Sequence, residues 1–195
     1  MKKITKNLFL LSFFGISLFA SSEKVDFSIS EKYQDLSSEI FKNISSHHYT
    51  REIDKESFND LYIDALLEEL DGNKNLFLSY EIKSFKRKSS NYKKNRENFD
   101  INLAYEILNT YFNRVIEISE YQIKLAKKDS FNLSIDEGID IFYDDNEYAS
   151  TMLELKERWR KTTKNDFIVS VLAKDDEDEI LSNLINRYER RIKRV

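Results

Sequence analysis

Apolar residues along this chain return at intervals of three and four, the spacing that gathers them on one side of an α-helix. Leu36, Ile40, Phe41 and Ile44 fit a first short helix over 34–44. A second, over 55–70, carries signals at both ends. Asp54 can accept hydrogen bonds from the first-turn N–H groups, and Ile53 with Phe58 can close a hydrophobic staple over that cap. Leu70-Asp71-Gly72 ends it, with Gly72 expected in the left-handed conformation of a helix C-terminus. The stripe of this helix reads Phe58, Leu61, Tyr62, Ala65 and Leu66. Asn75 to Leu78 then reads as an extended piece, and Ser79 as the cap of a third helix from Tyr80 to about Lys88.

Asp100 is placed to cap the longest helix, about Ile101 to Lys128. Ile101, Ala104, Leu108, Tyr111, Phe112, Val115, Ile118 and Tyr121 make its main stripe. Leu103, Ile107 and Ile116 widen it, so this helix should meet neighbours on more than one side. From 129 to 146 the periodicity lapses into a long acidic surface connection. A fifth helix is expected from Glu147 to about Lys174, burying Met152, Leu155, Trp159, Phe167, Val171 and Leu172, with Thr162-Thr163 as a point of bending. Asp176 and Glu179 fit a capping box for the last helix, which carries Leu181, Leu184, Ile185, Tyr188 and Ile192 on one face. Acids from Asp175 to Glu179 and bases from Arg187 to Arg194 suit its dipole.

Composition agrees with the pattern. Three Gly and no Pro in 195 residues, with Glu, Lys, Leu, Ile and Asn abundant, favour helices over a turn-rich β fold. With no Cys there is no disulfide, thiolate metal site or thiol nucleophile. Lys2, Lys3 and Lys6 precede an apolar run from Leu8 to Ala20 that is short for a membrane span, the form of a secretory signal peptide over residues 1–22. Small residues allow cleavage after Ala20 or, better, after Ser22; an uncleaved anchor is the alternative. A lipoprotein anchor is excluded, because no Cys stands at the junction. Removing the leader moves the net charge from −4 to about −7, which argues against a nucleic-acid partner. The fold expectation is all-α: an irregular bundle of about six helices, residues 23–195, after the signal peptide.

Few residues nominate chemistry. His47 and His48 are adjacent, so their side chains diverge, and no third His exists to complete a metal site. Asp71-Gly72-Asn73-Lys74-Asn75 imitates the start of a calcium loop, but Leu76 and Ile82 replace the Gly and Glu such a loop needs. It reads as a turn. Glu68 and Glu69 point about 100° apart on a helix and are no catalytic pair. Seven bases between Lys83 and Arg96 could bind an anion, but are better read as a solvated helix end. No catalytic, cofactor-binding or metal-binding residue is nominated, and no cofactor is expected.

Ser46-His47-His48-Tyr49, the helix after it, the Leu70-Asp71 turn and Leu76-Phe77-Leu78-Ser79 form an ordered series. It continues at Phe131-Asn132-Leu133, at Leu155 and Trp159, and at Asn186-Arg187-Tyr188 with Arg191-Ile192. The series resembles the N-terminal, non-catalytic helical domain of the bacterial tail-specific (carboxy-terminal processing) serine proteases. In that family the acidic connection before the fifth helix often carries a proline near its end; here it has none. The resemblance implies a periplasmic serine endopeptidase that degrades proteins from their C-terminus, with a PDZ domain and a Ser–Lys dyad. The exported part holds only Gly72 and Gly138, without the glycine-rich loop that would capture a carboxylate, and nothing nominates a Ser–Lys pair. The chain is therefore expected to be the scaffold domain alone, truncated before the PDZ and catalytic core, with no hydrolysis of its own. Its expected partners are those PDZ and peptidase domains or a separate protease core, with protein substrate or an adaptor as further candidates. The membrane would be met only through the signal peptide. The alternative is a free-standing exported adaptor that binds a separate protease or partner protein, the apolar stripe of its last helix being the face left open.

Overall fold

The computed structural model describes residues 24–47, 55–93, 101–128, 131–139, 147–173 and 176–195. They form six helices: α1 (Glu31–His47), α2 (Lys55–Asp71), α3 (Ser79–Lys93), α4 (Ile101–Lys127), α5 (Met152–Leu172) and α6 (Glu177–Lys193). Among the described residues the β content is one isolated parallel bridge, Leu78 to Ala149. The expected signal peptide, the cap and staple at Asp54 and Ile53, and the cap at Asp100 lie outside these residues, as does the side chain of Phe58.

With 27 residues and about 1.5 Å of rise per residue, α4 is an axis roughly 40 Å long. Its wide apolar surface meets α2 and α3 near one end and α5 and α6 along the rest. Three hydrophobic clusters are strung along it. Leu103 and Ile107 join Ile63, Leu67, Phe77, Ile82 and Phe85 from α2, α3 and the turn between them. Ile118 and Tyr121 close over Leu78, Ala149, Leu155 and Trp159. Ile123 reaches the last cluster, in which Phe167 of α5 packs on Ile180, Leu184 and Tyr188 of α6. Leu103, Ile107 and Ile116, read from the sequence as flanking positions, are fully buried, whereas Leu108 and Phe112 of the main stripe are only half-buried.

Several expectations need correction. In α2 the buried stripe is Ile63 and Leu67, flanked by Tyr62, Leu66 and Leu70, while Leu61 is 65% exposed and Ala65 faces solvent. Both stripes share Tyr62 and Leu66; the observed one removes more apolar area from water, since Ala65 has little to bury. Gly72 does not take a positive φ; Lys74 does, at 52°. What the glycine relieves is crowding, because a Cβ there would stand 3.0 Å from the Glu68 carbonyl oxygen.

Ser79 is the first residue of α3 and not its cap. Its N–H donates to the Ala149 carbonyl (2.9 Å), while the Leu78 carbonyl accepts from Glu81 and Ile82. The Glu81 carboxylate accepts in turn from the Leu78 N–H (2.7 Å). Helix α5 begins at Met152, five residues later than expected, because Ala149 is bridged to Leu78 and its carbonyl accepts the Ser79 N–H. Thr151 caps it, accepting from the Glu154 N–H, and Glu154 accepts from the Ser150 N–H. Val171 and Leu172, expected inside, are 38% and 76% exposed. The Asp176 cap holds, its carboxylate accepting from the N–H groups of Asp178 and Glu179. The stripe of α6, expected to be left open, is buried through Ile180, Leu184 and Tyr188.

Candidate interaction site

A network of buried and half-buried polar groups lies where the α2–α3 turn meets the start of α5. Asp71 is buried, and its two carboxylate oxygens accept the N–H groups of Asn75, Leu76 and Phe77 at 2.7–2.9 Å. Burial pushes its carboxyl above the ordinary value, and those N–H bonds with nearby Arg158 pull it back. The Asn75 carbonyl, turned outward by this geometry, accepts the Trp159 indole N–H (2.6 Å). Arg158 donates to the carbonyls of Lys74 (3.2 Å) and Glu147 (2.8 Å) and to the Glu154 carboxylate. Tyr148 packs on the same side, and burial, reinforced by Asp71, Glu68 and Asp64, pushes its hydroxyl up to about 12. Its proton therefore stays on.

Two further ties use buried cations. Arg114 of α4 donates to Glu81 (2.7 Å), the residue that caps α3, so the long helix is fixed to that cap. Lys164 of α5 donates to the Ile135 carbonyl (3.1 Å) and, with Arg160, to Glu137. Those two cations, Arg160 first, hold the Glu137 carboxyl down at about 2. This clamp seats the described part of the acidic connection along α5, and Phe131 stacks on Phe167 at its start (5.1 Å between ring centres). In each arrangement the charged groups are spent on joining segments. The Ser150 hydroxyl donates to the Glu154 carboxylate (2.9 Å) as part of the α5 cap.

The residues considered from sequence are scattered. His47 ends α1, and His48 lies outside the described residues. Glu68 and Glu69 are both exposed on α2. Asp71 to Asn75 is a turn organised by Asp71 on backbone N–H groups. Of the basic run, Lys86 pairs with Asp64 (3.0 Å) and Lys88 with Glu106, while Lys83 and Arg87 are exposed on α3. Lys94, Arg96 and the side chain of Lys93 lie outside the described residues. Among the described residues no cluster of His, Asp and Glu is arranged to hold a metal ion, and no helix is long and apolar enough to cross a membrane.

What remains open is surface of two kinds. Among the described residues, the extensive helix–helix contacts join α2 to α6 and do not include α1. Its Tyr33, Leu36, Ile40 and Ile44, on one face by their spacing, are 38–51% exposed. The second surface escaped the sequence reading. Residues 25–27 lie extended along α4, held by the side-chain amides of Asn109 and Asn113. A signal was present: asparagine disfavours helix interiors, so two of them four apart in the longest helix ask for partners.

The family model described as the tail specific protease N-terminal domain matches residues 40–195. A tail-specific protease of Haemophilus influenzae is 24% identical to the chain over 169 residues, covering 86% of it. The chain spans 24% of the length of that relative.

Proposed function

The chain belongs to the tail specific protease N-terminal domain family, and from that premise we propose that it is a non-catalytic scaffold which holds the PDZ and peptidase parts of a periplasmic serine endopeptidase. The observation that carries this reading is the extent of the match: residues 40–195 take in α2 to α6 whole and the second half of α1. The use of charged side chains supports it as well. Arg114, Arg158, Arg160 and Lys164 are committed to holding helices and connections in register. Rigid placement of other domains calls for such cross-ties.

In this reading the apolar face of α1 is where the PDZ–peptidase core docks. A periodic stripe of large apolar residues in water marks an interaction site. The signal peptide proposed over residues 1–22 supplies the route to the periplasm. A free-standing adaptor acting on a separately encoded protease would use the same face.

The test is to incubate the purified chain with an unfolded protein ending in apolar residues, alone and with a PDZ–peptidase core supplied in trans. The substrate should stay intact with the chain alone, and the chain should co-purify with the core. Hydrolysis by the chain alone, abolished by one Ser→Ala change, would overturn the reading.

A further inference from the structure

The strap over α4 is read through its main chain. Asn113 accepts the Val25 N–H (2.9 Å) and donates to the Val25 carbonyl (2.7 Å). Asn109 does the same for Phe27, at 2.7 and 3.2 Å. Each amide thus grips both polar groups of one residue, as a neighbouring strand would. The spacing makes this repeatable: two residues of extended chain advance about 6.6 Å, and four residues of helix about 6.0 Å. The strap runs antiparallel to the helix, so Ile29 comes next, toward Tyr105. Both of these residues line, with Asn109 and Asn113, a groove of about 530 Å³.

Side chains add little to the grip. Phe27 meets Phe112 edge-on (5.3 Å between ring centres) yet remains 40% exposed. Asp26 lies at the limit of contact with Asn109, at 3.5 Å. The strap forms one wall of that groove through Phe27 and Ile29, and its own seat on α4 is made chiefly through the main chain of Val25 and Phe27.

We propose that the α4 groove gripped by Asn109 and Asn113 is a binding site for an extended polypeptide segment, occupied in cis by residues 25–27 and opened when that strap is displaced. The occupant follows from what is seated there now, a stretch of chain held chiefly through its backbone N–H and carbonyl groups. The site lies wholly within this chain, so it stands apart from whether a protease core is held elsewhere. A cis occupant lowers the apparent affinity for any competitor by the fraction of time the groove is closed.

The probe is a fluorescein-labelled heptapeptide with the sequence of residues 24–30, its anisotropy titrated with the full chain. Val25→Pro with Phe27→Pro removes both strap N–H donors and should tighten binding by about ten-fold or more. In that background, Asn109→Leu with Asn113→Leu should abolish it. A scrambled heptapeptide should bind nearly as well as the original, and one N-methylated at the Val and Phe nitrogens should not bind. Asn109→Asp keeps the shape and removes one donor; should the double leucine variant lose helicity, this single change must still weaken binding. No gain from the proline pair, or binding that survives loss of the asparagine amides in a folded chain, overturns the proposal.

Discussion

α1 and α6 are each 17 residues long and each gathers its apolar residues on one face, yet they end in opposite environments. On α6, Ile180, Leu184 and Tyr188 are at most 4% exposed; on α1, Leu36, Ile40 and Ile44 are 38–49% exposed. Their polar neighbours differ in the same sense. The hydroxyls of Ser37, Ser38 and Ser46 on α1 bond carbonyls within their own helix. On α6, Arg187 and the Tyr188 hydroxyl reach Asp166 of α5, and Arg191 reaches Gln122 of α4, which in turn donates to Thr163. Periodicity reports that a helix has a face to cover. Long-range polar partners report whether the same chain covers it.

The contrast is broken most forcefully by truncating side chains on each side of it. Trp159→Ala or Tyr188→Ala should cost about 3–5 kcal/mol in urea denaturation, the range for large aromatic side chains lost from a packed core. Ile40→Ala should stay within about 0.5 kcal/mol, as for an exposed position. Equal losses at the two sites would mean that α1 is covered by its own chain after all.

Asp71→Ala comes next. It leaves the N–H groups of Asn75, Leu76 and Phe77 without their acceptor in a partly buried turn, at a cost of about 3 kcal/mol. Amide exchange should rise at Asn75, Leu76 and Phe77, the three N–H groups that lose Asp71 as acceptor.

A smaller, pH-dependent effect is expected at Glu137. Its folded value of about 2 lies below the ordinary 4.5, so its contribution is present above about pH 4.5 and is lost as pH falls through about 2. Glu137→Gln should flatten that acid limb of the stability profile, read as urea midpoints across the same range. A profile identical to that of the unaltered chain would mean that the Arg160–Lys164 clamp is not formed in solution.

These contrasts also mark what could be read from residues alone. Helix order, the central role of the 101–127 helix and the Asp176 cap were legible, because each depends on neighbours within a turn or two in sequence. The α2 stripe was misplaced because Ile63 packs on residues distant in sequence while Leu61 faces solvent, and local spacing does not carry that information. The late start of α5 and the loss of Ser79 as a cap share one cause, the Leu78–Ala149 bridge across 71 positions. The grip of Asn109 and Asn113 on residues 82–88 positions away was hidden for the same reason. Asparagine shows where a partner is wanted without saying which.

Whether the α1 face docks a PDZ–peptidase core, as proposed, is decided by the affinity of such a core for the full chain and for Ile40→Glu. The charge should weaken binding by about ten-fold or more, since burying it unpaired is costly, while the urea midpoint stays unchanged. Undiminished binding by a folded Ile40→Glu chain would mean that the core does not dock on α1.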